Sequence, residues 1–263
     1  MKRSLPTRGV ETLLGWGGSL TGVLLFVALW EWGSLVYGSF LLPGPRDALA
    51  ALGRLWQEDA AAAVWATTWR AMLGFALAAL VGTALGILAG LSRTVGRALE
   101  PVSTVLLGIP PIAWIVLAIL WFGSGSLATV YTVMATSLPI SFAGAQMGAL
   151  TRDRRLQEMA DVFSVPPLMR LFDFHLPHIV SYVFPALITA LGVAWKVAVM
   201  AELFATEDGI GAGLAMARVN LDTAAAMAWV VLVVALLLVA EHGLLRPLQR
   251  RMEPWRQTGR GGS

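Results

Sequence analysis

Two ionisable side chains, Lys196 and Glu202, stand in a stretch that is otherwise apolar, Trp195-Lys196-Val197-Ala198-Val199-Met200-Ala201-Glu202. A charge inside such a segment is costly unless it is paired or faces water, so each is a candidate for a pathway or a binding role. Their separation of six residues does not place them on one helical face, and they are not read as a direct pair. Lys196 is the deeper of the two. Its ammonium suits attraction of an anion, with a structural ion pair or a snorkelling lysine as the competing explanations. Glu31, between Trp30 and Trp32, reads as part of an interfacial aromatic belt. The three histidines, His175, His178 and His242, make no recognisable metal-ligand spacing. The only lysines are Lys2 and Lys196, and neither follows a glycine, so a standard phosphate-binding loop is missing. A Gly-x-Ser-x-Gly elbow, a His-x-x-x-His pair and a dinucleotide fingerprint are missing too. The chain is therefore expected to be non-catalytic and to bind no cofactor. Any ATP-driven work would have to come from a partner.

The second chemically distinctive feature is a polar island, Thr151 to Pro177, between two long apolar runs. It reads TRDRRLQEMADVFSVPPLMRLFDFHLP. Leu156–Phe163 can form one short helix. Pro166-Pro167 ends it, and a proline suits the first turn of a second helix reaching about Phe174. Leu168, Leu171 and Phe172 then share an apolar face, with Arg170 and Asp173 elsewhere on the surface. A short amphipathic helix of this kind suits insertion into a groove on a partner. The same pattern suits a helix lying on a lipid surface.

These residues need elements to position them, and composition says what those elements are. The chain has 263 residues, 57% hydrophobic and 13% charged. Soluble domains carry about 25% charged residues, so the bilayer is the implied solvent. Cysteine is absent, which excludes disulfides and thiolate metal sites. The net charge of +3 is modest, and its basic groups cluster beside apolar runs, which fits membrane orientation rather than nucleic-acid binding. Six segments are long and apolar enough to span: Gly17–Tyr37, Trp65–Leu91, Val102–Phe122, Leu127–Leu150, Ile179–Phe204 and Ala225–Leu245. The expectation is an all-α membrane protein, with residues 1–263 forming a single transmembrane domain. The N-terminal apolar run lacks a small-residue cleavage site and reads as a retained first span. Six spans put both termini on one side. That side holds Lys2, Arg3, Arg8, Arg93, Arg97, Arg152, Arg154, Arg155, Arg170, Arg246, Arg250, Arg251, Arg256 and Arg260, against Arg46, Arg54 and Arg218 on the other and Arg70 near an interface. The positive-inside rule makes the first side, and the Thr151–Pro177 island with it, cytoplasmic.

Three local features refine this picture. Leu42-Pro43-Gly44-Pro45 is a turn, followed by a short interfacial helix over Asp47–Trp56. The second span carries Gly74, Gly82, Gly86 and Gly90, the last three at a spacing of four, with Ala78 extending the row. Such a row lets helices approach closely, either as ordinary packing within the chain or as a gliding surface. The third span contains Gly108-Ile109-Pro110-Pro111, whose prolines should break or kink it at mid-depth, in a structural or a pathway role. Gly259–Ser263 reads as a flexible tail.

The island resembles the cytoplasmic signature of ABC-importer permeases: Glu-Ala-Ala, three residues, Gly, nine residues, Ile-x-Leu-Pro. Here it stands as Glu158-Met159-Ala160, Ser164 and Phe174-His175-Leu176-Pro177, with the spacing kept and Met159, Ser164 and Phe174 departing from the pattern. The resemblance continues through Leu42-Pro43-Gly44-Pro45, Gly74-Phe75, Gly82 with Gly86, Ile109-Pro110-Pro111, Leu120-Trp121-Phe122-Gly123, Ala201-Glu202-Leu203 and Gly209-Ile210-Gly211. In that order these motifs are similar to permeases of the nitrate/sulfonate/taurine branch. The resemblance implies a type I importer fold, a second permease subunit (a homodimer by family habit) and two ABC ATPase subunits holding ATP and Mg. It also implies an extracytoplasmic substrate-binding protein and a small solute. That solute would be an oxyanion such as nitrate, a sulfonate or taurine, or alternatively a thiamine-precursor pyrimidine or other small organic. Glu158, Ala160, Ser164, Leu168, Arg170, Leu171, Phe172, Leu176 and Pro177 become the candidates for ATPase coupling. Pro110, Pro111, Trp195, Lys196 and Glu202 are the candidates for the substrate pathway. The competing reading of the chain is a self-sufficient channel or secondary carrier, compatible with Lys196, Glu202 and the broken third span. A membrane enzyme is disfavoured by the missing motifs.

Overall fold

The computed structural model describes residues 7–58, 60–151, 158–159, 162–163, 165–166, 169–170 and 176–239, with side chains described from residue 21 onward. Its elements are all α-helices: α1 Thr7–Tyr37, α2 Pro45–Gln57, α3 Ala60–Leu91, α4 Arg93–Gly108, α5 Pro111–Phe122, α6 Ser126–Leu150, α7 Leu176–Ala205, α8 Ile210–Val219 and α9 Thr223–Val239. Three of them, α3, α6 and α7, are long and apolar enough alone to cross a membrane, or four spans if the bent α4–α5 pair counts as one. Shorter apolar helices cover Thr21–Tyr37, Ile210–Val219 and Thr223–Val239. Of the break or kink expected in the third span, the structure shows a break, two helices meeting at 97°. Ile109 and Pro110 are both extended, and Pro111 opens α5 at a position where its missing N–H is no loss. The helix α8 was not anticipated from the sequence.

The chain divides into two compact units, one from Met1–Glu58 with Ala217–Leu232, the other from Asp59–Met216 with Val233–Ser263. In the first, Trp30 Nε1 donates to Pro43 O at 2.9 Å and fixes the turn after α1. Asp47 Oδ2 accepts from Gly44 N at 3.2 Å and starts α2 with Pro45 in its first turn. Ala48 and Ala51 form the buried side of α2, while Leu49 and Trp56 are exposed, as an interfacial helix requires.

The second unit is built on α6, buried between α3 and α7. The glycine row of α3 is what lets α6 approach. A Cβ on Gly82 would lie 2.6 Å from Leu138 O, and one on Gly74 2.7 Å from Val130 O. Gly86 and Gly90 meet Phe142, Ala145 and Ala149 in the same way. The row is therefore intrachain packing. On the other side of α6, Gly148 faces Ile179 and Tyr182 of α7. Because α6 is surrounded by protein, it tolerates hydroxyls that lipid would penalise. Thr132, Thr136 and Ser141 return their protons to carbonyls one turn back, at 2.8, 2.9 and 3.3 Å.

Candidate functional site

The most polar buried site lies at the start of α3 and the end of α7. Arg70 and Glu202 are both buried, and Glu202 is 0% exposed. Arg70 Nη1 donates to Glu202 Oε1 at 2.8 Å and to Asp208 O at 3.0 Å. Its Nη2 donates to Asp208 Oδ1 at 2.5 Å and its Nε to Ser126 Oγ at 2.9 Å. One planar guanidinium thus ties together α3, the first residue of α6, the end of α7 and the turn that follows it. Arginine rather than lysine serves here, because only its rigid fork offers several donors in one plane.

The other carboxylate oxygen is equally occupied. Glu202 Oε2 accepts from Thr67 Oγ1 at 2.7 Å and from Gly211 N at 3.2 Å, and Thr67 Oγ1 in turn accepts from Ile210 N at 2.9 Å. These two amides open α8, so Glu202 and Thr67 cap that helix from outside it. The turn before α8 needs glycine on two counts. Gly209 has φ +102°, and a Cβ there would lie 2.5 Å from Glu202 Oε2. The Ala201-Glu202 and Gly209-Ile210-Gly211 motifs are therefore one unit: a carboxylate and the backbone loop that closes over it. With its oxygens filled, Glu202 is a mount for α8.

The pathway candidates end in different environments. Glu202 is enclosed as described, and Lys196, six residues earlier, is exposed on another face of α7. Trp195 packs partly buried against Ala71, Val133, Ala194, Val197 and Ala198, with its Nε1 buried and without a hydrogen-bond partner among the described residues. Pro110 and Pro111 form the α4–α5 break. Sequence reasoning placed Arg70 near a membrane interface without naming it as a site residue, and it missed Thr67, Ser126 and Asp208. A signal was available: a lone arginine inside a span has to find a carboxylate, and Glu202 is one of three acids inside the other expected spans, with Glu31 and Glu241.

Of the coupling candidates, Ala160, Ser164, Leu168, Leu171 and Phe172 lie outside the described residues. Glu158 is exposed, and Met159, Val162, Phe163 and Met169 turn large apolar side chains outward, Val162 80% and Phe163 72% exposed. Phe163 N donates to Met159 O at 3.0 Å, a helical turn in the first expected helix. Arg170 is half-buried, its Nε donating to Val165 O at 2.7 Å beside the proline turn. Leu176 and Pro177 open α7 and are exposed. No group of three or more metal-ligating side chains occurs among the described residues.

Comparison with known proteins decides the family. The sequence pattern of the binding-protein-dependent transport system inner membrane component matches residues 82–254. The chain belongs to this family. It is 30% identical over 218 residues to the taurine transport system permease protein TauC of Escherichia coli K12, covering 81% of this chain and 75% of that protein. It is 32% identical over 206 residues to the putative aliphatic sulfonates transport permease protein SsuC of the same organism, covering 75% and 76%. It is 25% identical over 201 residues to the nitrate import permease protein NrtB of Synechococcus elongatus, covering 71% of each. Among solved structures, a chain of the MetNI methionine ABC transporter matches with TM-score 0.61 and 16% identity, covering 72% of this chain and 94% of that one. The fold is that of a type I importer permease. As a family member, the chain is a multi-pass inner-membrane component of a binding-protein-dependent transport system.

Proposed function

We propose that this chain is the permease subunit of an ATP-driven importer of a small oxyanion such as nitrate, a sulfonate or taurine. A separate ATPase drives it through residues 151–177, and a second permease copy completes the pathway. The observation that carries the coupling reading is the outward display of Met159, Val162, Phe163 and Met169 on the connector between α6 and α7. Large apolar side chains on a polar connector want a partner surface. The two helices that this connector joins are packed on one another along Gly144 and Gly148, so a push on it reaches α6 and α7 together. ATP favours one state of the assembly only insofar as its contacts differ between states, and the connector is where that difference would enter this chain. Glu158, Ala160, Ser164, Leu168, Arg170, Leu171, Phe172, Leu176 and Pro177 are the residues proposed to carry it. By the distribution of arginines, the termini and this connector are cytoplasmic, and α7 ends toward the outside.

The names of TauC, SsuC and NrtB support an anionic solute, and the cation on α7 agrees with it. The test is the variant Glu158→Arg with Leu171→Asp, in membranes and in purified form. The expected result is normal membrane insertion with loss of the co-purifying ATPase subunit and of ATP-driven uptake. A variant that still holds the ATPase and still transports refutes the coupling assignment.

A further inference from the structure

Along α7 one face stays exposed among the described residues of its unit. Thr189 and Lys196, seven residues apart, are exposed on it, and Tyr182, seven residues earlier and packed against Gly148 of α6, stands at its edge, 38% exposed. Seven residues are close to two helical turns, so the three polar tips form a lane about 21 Å long at 1.5 Å per residue. Between Thr189 and Lys196 lies Gly192, where an added Cβ would meet nothing within 4 Å. The lane therefore has an open notch one turn from the ammonium. Lys196 has no hydrogen bond or ion pair with any described residue.

Lipid does not explain this face. Lys196 lies nine residues, roughly 14 Å, before the end of a 30-residue helix. The Cα–Cβ bond of a helical residue tilts toward the helix N-terminus, so this side chain leaves the backbone toward the middle of the span, away from the nearer surface. Snorkelling runs against that direction, and an unpaired ammonium facing hydrocarbon costs several kcal/mol. Nor does Glu202 partner it, since that carboxylate is enclosed with Arg70. Lys196 therefore needs water, an anion or a group of the second permease subunit beside it.

We propose that the Tyr182–Thr189–Lys196 face of α7 is the anion-bearing wall of the translocation pathway. Lys196 is its fixed positive charge among the described residues, and Gly192 is the notch that holds a monovalent oxyanion beside it. The Tyr182 hydroxyl, and the Thr189 hydroxyl on turning away from Pro185 O, to which it donates at 3.1 Å, are donors for the anion on its way along the lane. A single charge flanked by neutral donors attracts an anion without trapping it, which a conducting path requires. This inference rests on the permease reading.

The chain contains no cysteine, so single cysteines can be placed on a clean background. In the assembled transporter, Thr189→Cys, Lys196→Cys and, as a lipid-side control, Leu80→Cys are exposed to two thiosulfonate reagents of similar size, one carrying a sulfonate and one a trimethylammonium. The expected result is modification at 189 and 196 but not at 80. At 189, the sulfonate reagent should react about tenfold faster than the cation once both are normalised to a free thiol, the factor expected of one nearby charge in a partly screened site. In Thr189→Cys with Lys196→Gln the preference should disappear. Gly192→Leu, whose Cβ meets nothing within 4 Å among the described residues, should leave assembly intact and reduce ATP-driven uptake of taurine or nitrate at least tenfold. The proposal is overturned if 189 and 196 are as unreactive as 80, if the charge preference survives loss of Lys196, or if Gly192→Leu transports normally. Absence of the ATPase subunit from the same preparation would instead overturn the permease reading.

Discussion

Removing the guanidinium of Arg70 is the most severe single change that the structure specifies. In Arg70→Met the Glu202 carboxylate, 0% exposed, loses the cation 2.8 Å from its Oε1 and keeps only Thr67 and the Gly211 amide. Breaking a buried pair by removing one partner costs about 3–5 kcal/mol, because the other charge is left without compensation. The second arm is different. The Asp208 side chain is 68% exposed, so solvent screens its pairing with Arg70, and Asp208→Asn should cost about 0–1 kcal/mol. At about 2–4 °C per kcal/mol for a chain of this size, Arg70→Met should lower the unfolding midpoint by about 6–20 °C, and Asp208→Asn by about 4 °C at most. Thermal unfolding of the purified protein followed by tryptophan fluorescence reads both. The decisive control is Arg70→Met with Glu202→Gln, which removes both charges and keeps a group able to bond Thr67 and Gly211. It should be more stable than Arg70→Met alone, with a coupling energy of about 2 kcal/mol or more. A midpoint for Arg70→Met within about 2 °C of the wild type, or strict additivity of the two changes, would refute the argument.

Other consequences are simpler to state. Gly82→Ala puts a Cβ 2.6 Å from Leu138 O in the α3–α6 contact and should destabilise by about 1–3 kcal/mol, while Gly22→Ala, with nothing within 4 Å, should be neutral or slightly stabilising; unfolding midpoints compare them. Gly209→Ala meets both a φ of +102° and the Glu202 carboxylate, so α8 should lose protection against hydrogen exchange before the rest of the unit does. Thr67→Val deletes the hydroxyl that joins Glu202 to Ile210 N and should cost about 1–3 kcal/mol, read in the same unfolding assay.

What the sequence revealed and what it hid follow from the range of the interactions. The break at Pro110-Pro111, the short helix after the Pro43-Gly44 turn (expected from Asp47, observed from Pro45) and the glycine row of α3 are local matters of dihedral angle and side-chain size, and they were legible. The 97° angle was not, because prolines announce a break but not the direction in which packing sends the next helix. Glu202 was visible as an anomaly, yet its role was not. Its partner Arg70 is 132 residues away, and no periodicity links the two. The short helix α8 is held by Glu202 and Thr67 rather than by its own amphipathic pattern, so nothing local marked it. The Thr151–Pro177 island stood out by charge and proline placement. The exposure of Met159, Val162 and Phe163 came from the folded chain, while the expected face of Leu168, Leu171 and Phe172 lies outside the described residues.

The central claim is that this chain moves solute only when a separate nucleotide-hydrolysing subunit drives it. Proteoliposomes holding the chain with and without the ATPase subunits, supplied with the extracytoplasmic binding protein and labelled taurine or nitrate, test it most directly. The account predicts uptake only with the ATPase present and ATP on its side of the membrane. Uptake by the chain alone, indifferent to ATP, would contradict it.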